Sequence, residues 1–372
     1  MSYDQQLPNG LTRRQLLKGA FLGSTGLAAA YLLGCSDGGN GGSSPTATAP
    51  LPSAVAGTPA PPDVLEWRSL APAGALPAGR QDHSLVSDGE HLYLLGGQDA
   101  APMGDLWAYD VSGDAWSQLA SDAGPAPRFG HNAIWHNETS RMIVFGGQGS
   151  GGAFFNDVWA YDPASGAWSQ LASAGPSPRY GAAGTLDTDG ALVITHGFTD
   201  QGRFDDTWRY DIVNETWTDI SPDGRRPVER CLTRACFTRV MDKHLLMFGG
   251  QTTETPYLDD LWGLLLGRGW ANLERNPKPA ARNRYSMVYD EARDKLTLIG
   301  GNGAAGPLND VWWFDATDEF WAMPRVVGTP PLHRFGHDAA WVSSSASVLV
   351  FGGTAGGSKV NELWELATSS EP

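Results

Sequence analysis

The stretch Ile143–Leu171, IVFGGQGSGGAFFNDVWAYDPASGAWSQL, decides how this 372-residue chain is read. It begins with a short apolar run ending in Gly146-Gly147 and passes through a polar loop to Asp157-Val-Trp159-Ala-Tyr161-Asp162. After a tight turn it ends in a third run on Trp168 and Leu171. Runs of four to eight residues, rich in β-branched and aromatic side chains and separated by Gly, Asp and Ser, are strand signals. Three strands in series are therefore expected here.

The same pattern recurs along the chain. The double glycine falls at Gly96-Gly97, Gly146-Gly147, His196-Gly197, Gly249-Gly250, Gly300-Gly301 and Gly352-Gly353, in steps of 50, 50, 53, 51 and 52 residues. The second run returns as Asp105-Leu-Trp107, Asp157-Val-Trp159, Asp206-Thr-Trp208, Asp260-Leu-Trp262, Asp310-Val-Trp312 and Glu362-Leu-Trp364. The third run supplies Trp116, Trp168, Trp217, Trp270 and Trp321, and the sixth copy has none. Its counterpart, Leu65-Glu66-Trp67-Arg68-Ser69-Leu70, stands ahead of the first double glycine. An N-terminal strand that completes the last repeat would close the array into a ring and remove its open edges.

Each repeat opens on an arginine, usually followed by a histidine or tyrosine: Arg80 with His83, Arg128 with His131, Arg179 with Tyr180, Arg282 with Tyr285 and Arg334 with His337. Arg230, in the less regular fourth copy, is the best alignment there. With a period near 50 residues, the chain from about Val64 to Thr368 resembles a kelch-repeat β-propeller. The resemblance implies an all-β fold of six four-stranded blades over residues 63–372. Families of this kind include protein-binding adaptors as well as enzymes, so the fold alone assigns no activity.

The N-terminus reads differently. Thr12-Arg13-Arg14-Gln15-Leu16-Leu17-Lys18 precedes a 15-residue apolar run, Gly19–Leu33, which suits a signal-peptide core and is short for a membrane span. Arg13-Arg14 resembles a twin-arginine export signal, and Leu32-Leu33-Gly34-Cys35 resembles a bacterial lipobox. Together they imply cleavage after Gly34 and lipidation of Cys35, with residues 1–34 removed. Ser36 to Pro62 is rich in Gly, Ser, Thr, Ala and Pro and reads as a flexible tether. The location expected is the cell envelope: the periplasmic side or outer membrane of a two-membrane cell, otherwise the cell surface.

The formal charge of −15 excludes the basic footprint of a nucleic-acid binder. One arginine and one Asp-x-Trp acid per repeat suggest structural pairs. The alternative is that some of Arg80, Arg128, Arg179, Arg230, Arg282 and Arg334 form a pocket for an anionic group near the channel mouth. Loops after the double glycines differ between repeats and carry Phe154 and Phe155, Arg203 and Phe204, and Tyr257, candidates for stacking on a sugar or packing on a partner. The histidines His83, His131, His196 and His337 come singly, without metal-ligand spacing, so neither a metal nor another cofactor is expected. A disulfide between Cys231 and Cys236 would suit an exported, oxidising setting, but in one extended strand they would be about 16 Å apart, beyond the ~6 Å of a disulfide, so pairing them needs a turn or bulge at Leu232–Ala235.

These features point to an exported, lipid-anchored monomeric module that binds an envelope protein or a glycan. The second reading is a metal-independent carbohydrate-active enzyme using arginine and carboxylate groups near the channel. No single catalytic constellation stands apart from the repeats, which favours binding.

Overall fold

The computed structural model describes residues 64–119, 123–171, 174–238 and 244–369. The export signal with Arg13 and Arg14, the lipidation site Cys35 and the tether lie outside the described residues. Within them the only helical element is the single 3-10 turn Ser150–Gly152, and no helix is long and apolar enough to cross a membrane.

The stretch Ile143–Leu171 folds as expected, into an antiparallel meander. Asn132–His136, Arg141–Gln148, Phe154–Asp162 and Ala167–Leu171 pair in that order, with Phe145 opposite Val158 and Tyr161 opposite Trp168. Strands Ser84–Ser87, His91–Leu95, Leu106–Asp110 and Ala115–Leu119 repeat the arrangement, as do Ala183–Leu186, Leu192–Thr195, Thr207–Asp211 and Thr216–Asp219. Alternation along the second strands places residues such as Ile143 and Phe145 toward one neighbouring sheet and Met142 and Val144 toward the other. Both faces are therefore covered, which explains why these strands read as continuous apolar runs.

Chain closure is visible in the pairing. Val64–Leu70 lies antiparallel to Leu363–Thr368, with Trp67 opposite Leu366, and adds the missing outer strand to the sixth repeat. A strand not foreseen from sequence, Arg325–Gly328, then pairs parallel to Val64–Leu70 and makes this sheet five-stranded. Six apolar clusters among the described residues each join two consecutive repeats. One of them, with Leu85, Trp107, Val342 and Phe351, joins the sixth repeat to the first.

The sheet count departs from six separate blades. Three four-stranded sheets and the five-stranded one have that form, whereas the fourth and fifth repeats share one twelve-stranded sheet with three short strands of the sixth, Arg334–Phe335, Thr354–Ala355 and Ser358–Lys359. The link is short: Arg282–Asn283 pairs with Leu258 of the repeat before and with Asn302 and Gly303 of its own, and Arg334 pairs with Leu308 in the same way. Elsewhere the join is confined to backbone hydrogen bonds on the arginine, such as Arg128 N–H to Met103 O and Gly97 N–H to Arg128 O, both at 2.9 Å. The repeats thus differ in the length of this pairing, not in its direction.

At the double glycine the second strand becomes irregular, and its register against the third shifts between Phe145 and Gly147. Gly146 and Gly147 have φ of 68° and 99°, and a Cβ on Gly147 would sit 2.8 Å from that of His131. Left-handed backbone without side-chain room selects glycine.

Trp67 is buried in the cluster between the fifth and sixth repeats and meets Trp364 edge-on at 6.4 Å. Trp67→Ala is expected to cost about 3–5 kcal/mol in equilibrium chemical denaturation. A cost below about 1 kcal/mol, in the range of ordinary surface changes, would show that the closing strand contributes little.

Candidate functional site

The six motif arginines occupy one repeated clamp. Arg128 Nη1 and Nη2 donate to Asp157 Oδ1 and Oδ2 at 2.7 and 2.8 Å, Nη1 also to Gly146 O at 2.9 Å, and Nε to Ala126 O at 2.9 Å. Trp159 Nε1 donates to the same carboxylate at 2.7 Å. Arg80, Arg179, Arg230 and Arg282 repeat this bidentate set on Asp105, Asp206, Asp260 and Asp310, and Arg334 binds Glu362. All six are at most 1 % exposed. Their charge is met inside their own repeat, so they serve as framework and leave the pocket for an anion without a free guanidinium.

Two of the aromatic loop candidates belong to the same clamp. The Phe155 ring lies 4.3 Å from the Arg128 guanidinium and Phe204 4.2 Å from that of Arg179. The residue two places before the acid is Met103, Leu258, Leu308 or Val360 in the other repeats. Phe155 and Phe204 are therefore copies of a repeated apolar position, contrary to their reading as individual features.

Two residues beyond each arginine the chain makes a left-handed turn: Asp82, Gly130, Gly181, Leu232, Arg284 and Gly336 have φ from 51° to 67°. Their backbones form a closed ring. Gly130 N–H donates to Asp82 O, Gly181 to Gly130, Leu232 to Gly181, Arg284 to Leu232, Gly336 to Arg284 and Asp82 to Gly336, at 2.7 to 3.2 Å. Glycine suits the conformation, so Asp82, Leu232 and Arg284 stand there at a conformational cost. The two charged residues face each other, with Arg284 Nη1 3.8 Å from Asp82 Oδ2 and Arg284 Nη2 donating to Tyr180 Oη at 3.2 Å. One step deeper, Arg234 and Asp338 pair at 3.4 Å.

Immediately outside this ring, the residue after each arginine pairs with the residue after each double glycine: Gln81 with Gln98, Phe129 with Gln148, Tyr180 with Phe198, Cys231 with Gln251, Asn283 with Asn302 and Phe335 with Thr354. No combination recurs. Neighbouring pairs touch: Phe129 meets Tyr180 edge-on at 5.4 Å, Asn283 Nδ2 donates to Gln251 Oε1 at 2.8 Å, and Thr354 Oγ1 donates to Gln81 Oε1 at 2.5 Å. Tyr180 thus follows Arg179 by one residue, where the histidines of other repeats follow by three, and it faces the mouth instead of the core. Of the loop candidates, Phe154 meets Phe198 edge-on at 5.9 Å, Arg203 lies 5.2 Å over Phe198 and donates to Thr253 Oγ1, and Tyr257 Oη accepts from Asn302 Nδ2. These three rim the ring of pairs.

The KLHDC2/KLHL20/DRC7 Kelch-repeats domain model matches residues 61–250 and 236–371. The chain belongs to this kelch-repeat family. It is 27 % identical over 340 residues to putative adagio-like protein 2 of Oryza sativa subsp. japonica, covering 82 % of this chain and 52 % of that one. It is 28 % identical over 264 residues to host cell factor 2 of Homo sapiens, 64 % of this chain and 32 % of that one. Over 88 residues it is 39 % identical to Kelch domain-containing protein 2 of Bos taurus, 23 % of this chain and 21 % of that one. The kelch chain spans about half the length of the first curated relatives it matches.

The kelch histidines pack. A Cβ on Gly96 would lie 3.2 Å from His131 Cε1, one on Gly300 3.0 Å from His337 Cε1, and one on Gly352 2.9 Å from His83 Cε1, so each ring fills the space beside a glycine of the preceding repeat. Among the described residues no three His, Cys, Asp or Glu side chains gather as a metal site. Cys231 and Cys236 are buried and free. Leu232 does turn, with φ of 56°, but Cys231 pairs with Gln251 while Cys236 sits in the extended strand Arg234–Phe237, so no disulfide joins them. Burial pushes the Cys236 thiol up to about 12.

Burial, helped by Arg128 at His131 and Arg334 at His337, lowers both imidazoles to about 3; burial first and Arg230 next do the same at His196. Burial alone would raise Asp157, but the hydrogen bond and charge of Arg128 outweigh it and hold the carboxyl below its usual range; Asp105, Asp206, Asp260 and Asp310 behave alike. The histidines stay neutral in the fold but protonate when unfolded, at about 6.5, so their contribution is complete above that value and falls as pH drops below it. The carboxylates, whose folded values are depressed, contribute above about 4 and lose that contribution as pH falls through the folded values. The denaturation midpoint should decline from pH 7.5 to 5 and more steeply below 4. A flat midpoint between pH 7.5 and 5 would contradict neutral buried histidines.

Proposed function

We propose that this protein is an exported, lipid-anchored six-bladed kelch propeller that binds an envelope protein or a glycan through the face carrying the six residue pairs. Kelch propellers are typically protein-interaction modules, and the observation that carries the reading is the contrast within that face. Arginine, acid, tryptophan and the apolar residue over the arginine recur in every repeat. The pairs around the mouth do not, and side chains that neither recur nor fill the core are free to specify a ligand. The count of six rests on the two meanders inside the twelve-stranded sheet, each with its own arginine clamp and its own place in the turn ring.

Export and anchoring rest on Arg13-Arg14, Gly19–Leu33 and the Leu-Leu-Gly-Cys35 sequence. Two or more acyl chains on Cys35 would hold the protein at a membrane, each buried methylene adding about 0.8 kcal/mol. The tether Ser36 to Pro62 would give the propeller reach from that surface. In this reading the propeller is a monomer that binds its partner without a cofactor.

The full chain, purified from its producing cells in detergent, should carry a lipid-modified N-terminus at Cys35 and retain one protein or glycan from envelope extract. Phe198→Ala combined with Gln148→Ala should weaken retention at least tenfold, as expected for a site residue worth about 2 kcal/mol, with the melting temperature unchanged. Retention unaffected by the pair would place recognition elsewhere.

A further inference from the structure

The mouth of the channel holds a cavity of about 30 Å³, lined by Asp82, His83, His131, Thr233, Arg234 and Arg284 together with the turn glycines. About 10–15 Å³ of such volume accommodates one water, so the cavity admits a group of two heavy atoms. His83 is 1 % exposed, and neither of its ring nitrogens has a hydrogen-bond partner; His131 uses Nε2 on Ser84 Oγ at 2.9 Å and leaves Nδ1 unpartnered. Buried polar atoms are nearly always satisfied, and those that are not call for an explanation.

The chemistry of the missing partner follows from what surrounds it. Burial, with Arg80 next, holds His83 well below the ordinary imidazole range, so it is neutral and offers one donor and one acceptor. The charges beside it are already matched, Arg284 with Asp82 and Arg234 with Asp338. A carboxylate entering there would meet two carboxylates as well as two arginines, and an ammonium would meet the reverse. A hydroxyl both donates and accepts and disturbs neither pair.

Outside the cavity the mouth is edged by amides and aromatic rings, among them Gln98, Gln148, Gln251 and Phe198, all partly exposed. Uncharged hydrogen-bonding groups next to ring faces complement a pyranose, which is polar at its edge and apolar on its face. A hydroxymethyl is two heavy atoms and ends in a hydroxyl.

We propose that the ligand is a glycan with an uncharged hexopyranose end, whose hydroxymethyl group enters the cavity beside His83 while the ring lies among the amides and Phe198. This rests on the binding face proposed above. The size of the cavity, the unpartnered imidazole and the matched charges all favour this ligand over an acidic or basic peptide.

The test presents the full chain in detergent to an array of glucose-, galactose- and mannose-ended oligosaccharides, each accompanied by its 6-deoxy and 6-carboxyl forms. At least one neutral hexose should bind, and its 6-deoxy and 6-carboxyl forms should bind more weakly. Removing the single hydroxyl should cost roughly two- to tenfold, the range for one hydrogen bond. His83→Phe keeps the edge-on packing against Phe351 and should lose the same factor for the hexose while binding the 6-deoxy sugar unchanged. The 6-deoxy comparison on the unaltered chain needs no variant to fold. Equal or better binding of the 6-carboxyl form, or a hexose affinity indifferent to both the hydroxyl and His83, would overturn the proposal. If no oligosaccharide binds but an envelope protein is retained through Phe198, the glycan assignment fails and the binding face stands.

Discussion

The arginine–carboxylate clamp is the constraint on which the other features depend. In each repeat a desolvated guanidinium ties the loop before the innermost strand to the carbonyl at the double glycine and to the acid that begins the third strand. Three segments far apart in sequence converge on one planar group. A buried arginine without its acid would be left as an uncompensated charge, and breaking such a pair costs about 3–5 kcal/mol. The clamp therefore also fixes the direction in which the chain leaves the arginine. Two residues later it must turn left-handed, and six such turns close into one ring of backbone hydrogen bonds.

That regular base makes the irregular features interpretable. Gly130, Gly181 and Gly336 fit the turn without strain, while Asp82, Leu232 and Arg284 do not, and the two charged members meet across the mouth. Around them every repeat presents a different pair of side chains on the same backbone frame. On the proposed function, the repeated framework holds the mouth in place and its unrepeated side chains supply the specificity, and a preorganised site loses little conformational entropy on binding.

Most of the fold was legible in the chain because six copies report the same contacts. The period, the Asp-x-Trp acids and the displaced Leu65–Leu70 strand each correspond to a visible pairing. Fusion of the fourth and fifth repeats was hidden, since it turns on one or two extra backbone pairs near Leu258 and Asn302 that no side chain announces. The site was less legible. Phe155 and Phe204 looked individual because their repeated position accepts Met, Leu or Val, so only the spacing to the acid identifies it. Tyr180 stands one residue after its arginine whereas the histidines stand three after theirs, so the two rings do not share a position. The turn position between them is defined only by its spacing from the arginine, and there Asp82, Leu232 and Arg284 are the three departures from glycine.

The division of labour between repeated and unrepeated residues is tested most directly by Arg128→Lys, which keeps the charge but cannot form the bidentate pair. The dissociation constant of the retained ligand is measured below the variant's melting temperature. A framework arginine predicts lower stability and a constant within about twofold of the parent, a difference under 0.5 kcal/mol. A folded Arg128→Lys protein that binds its ligand tenfold more weakly would return the arginines to the binding site and contradict the account.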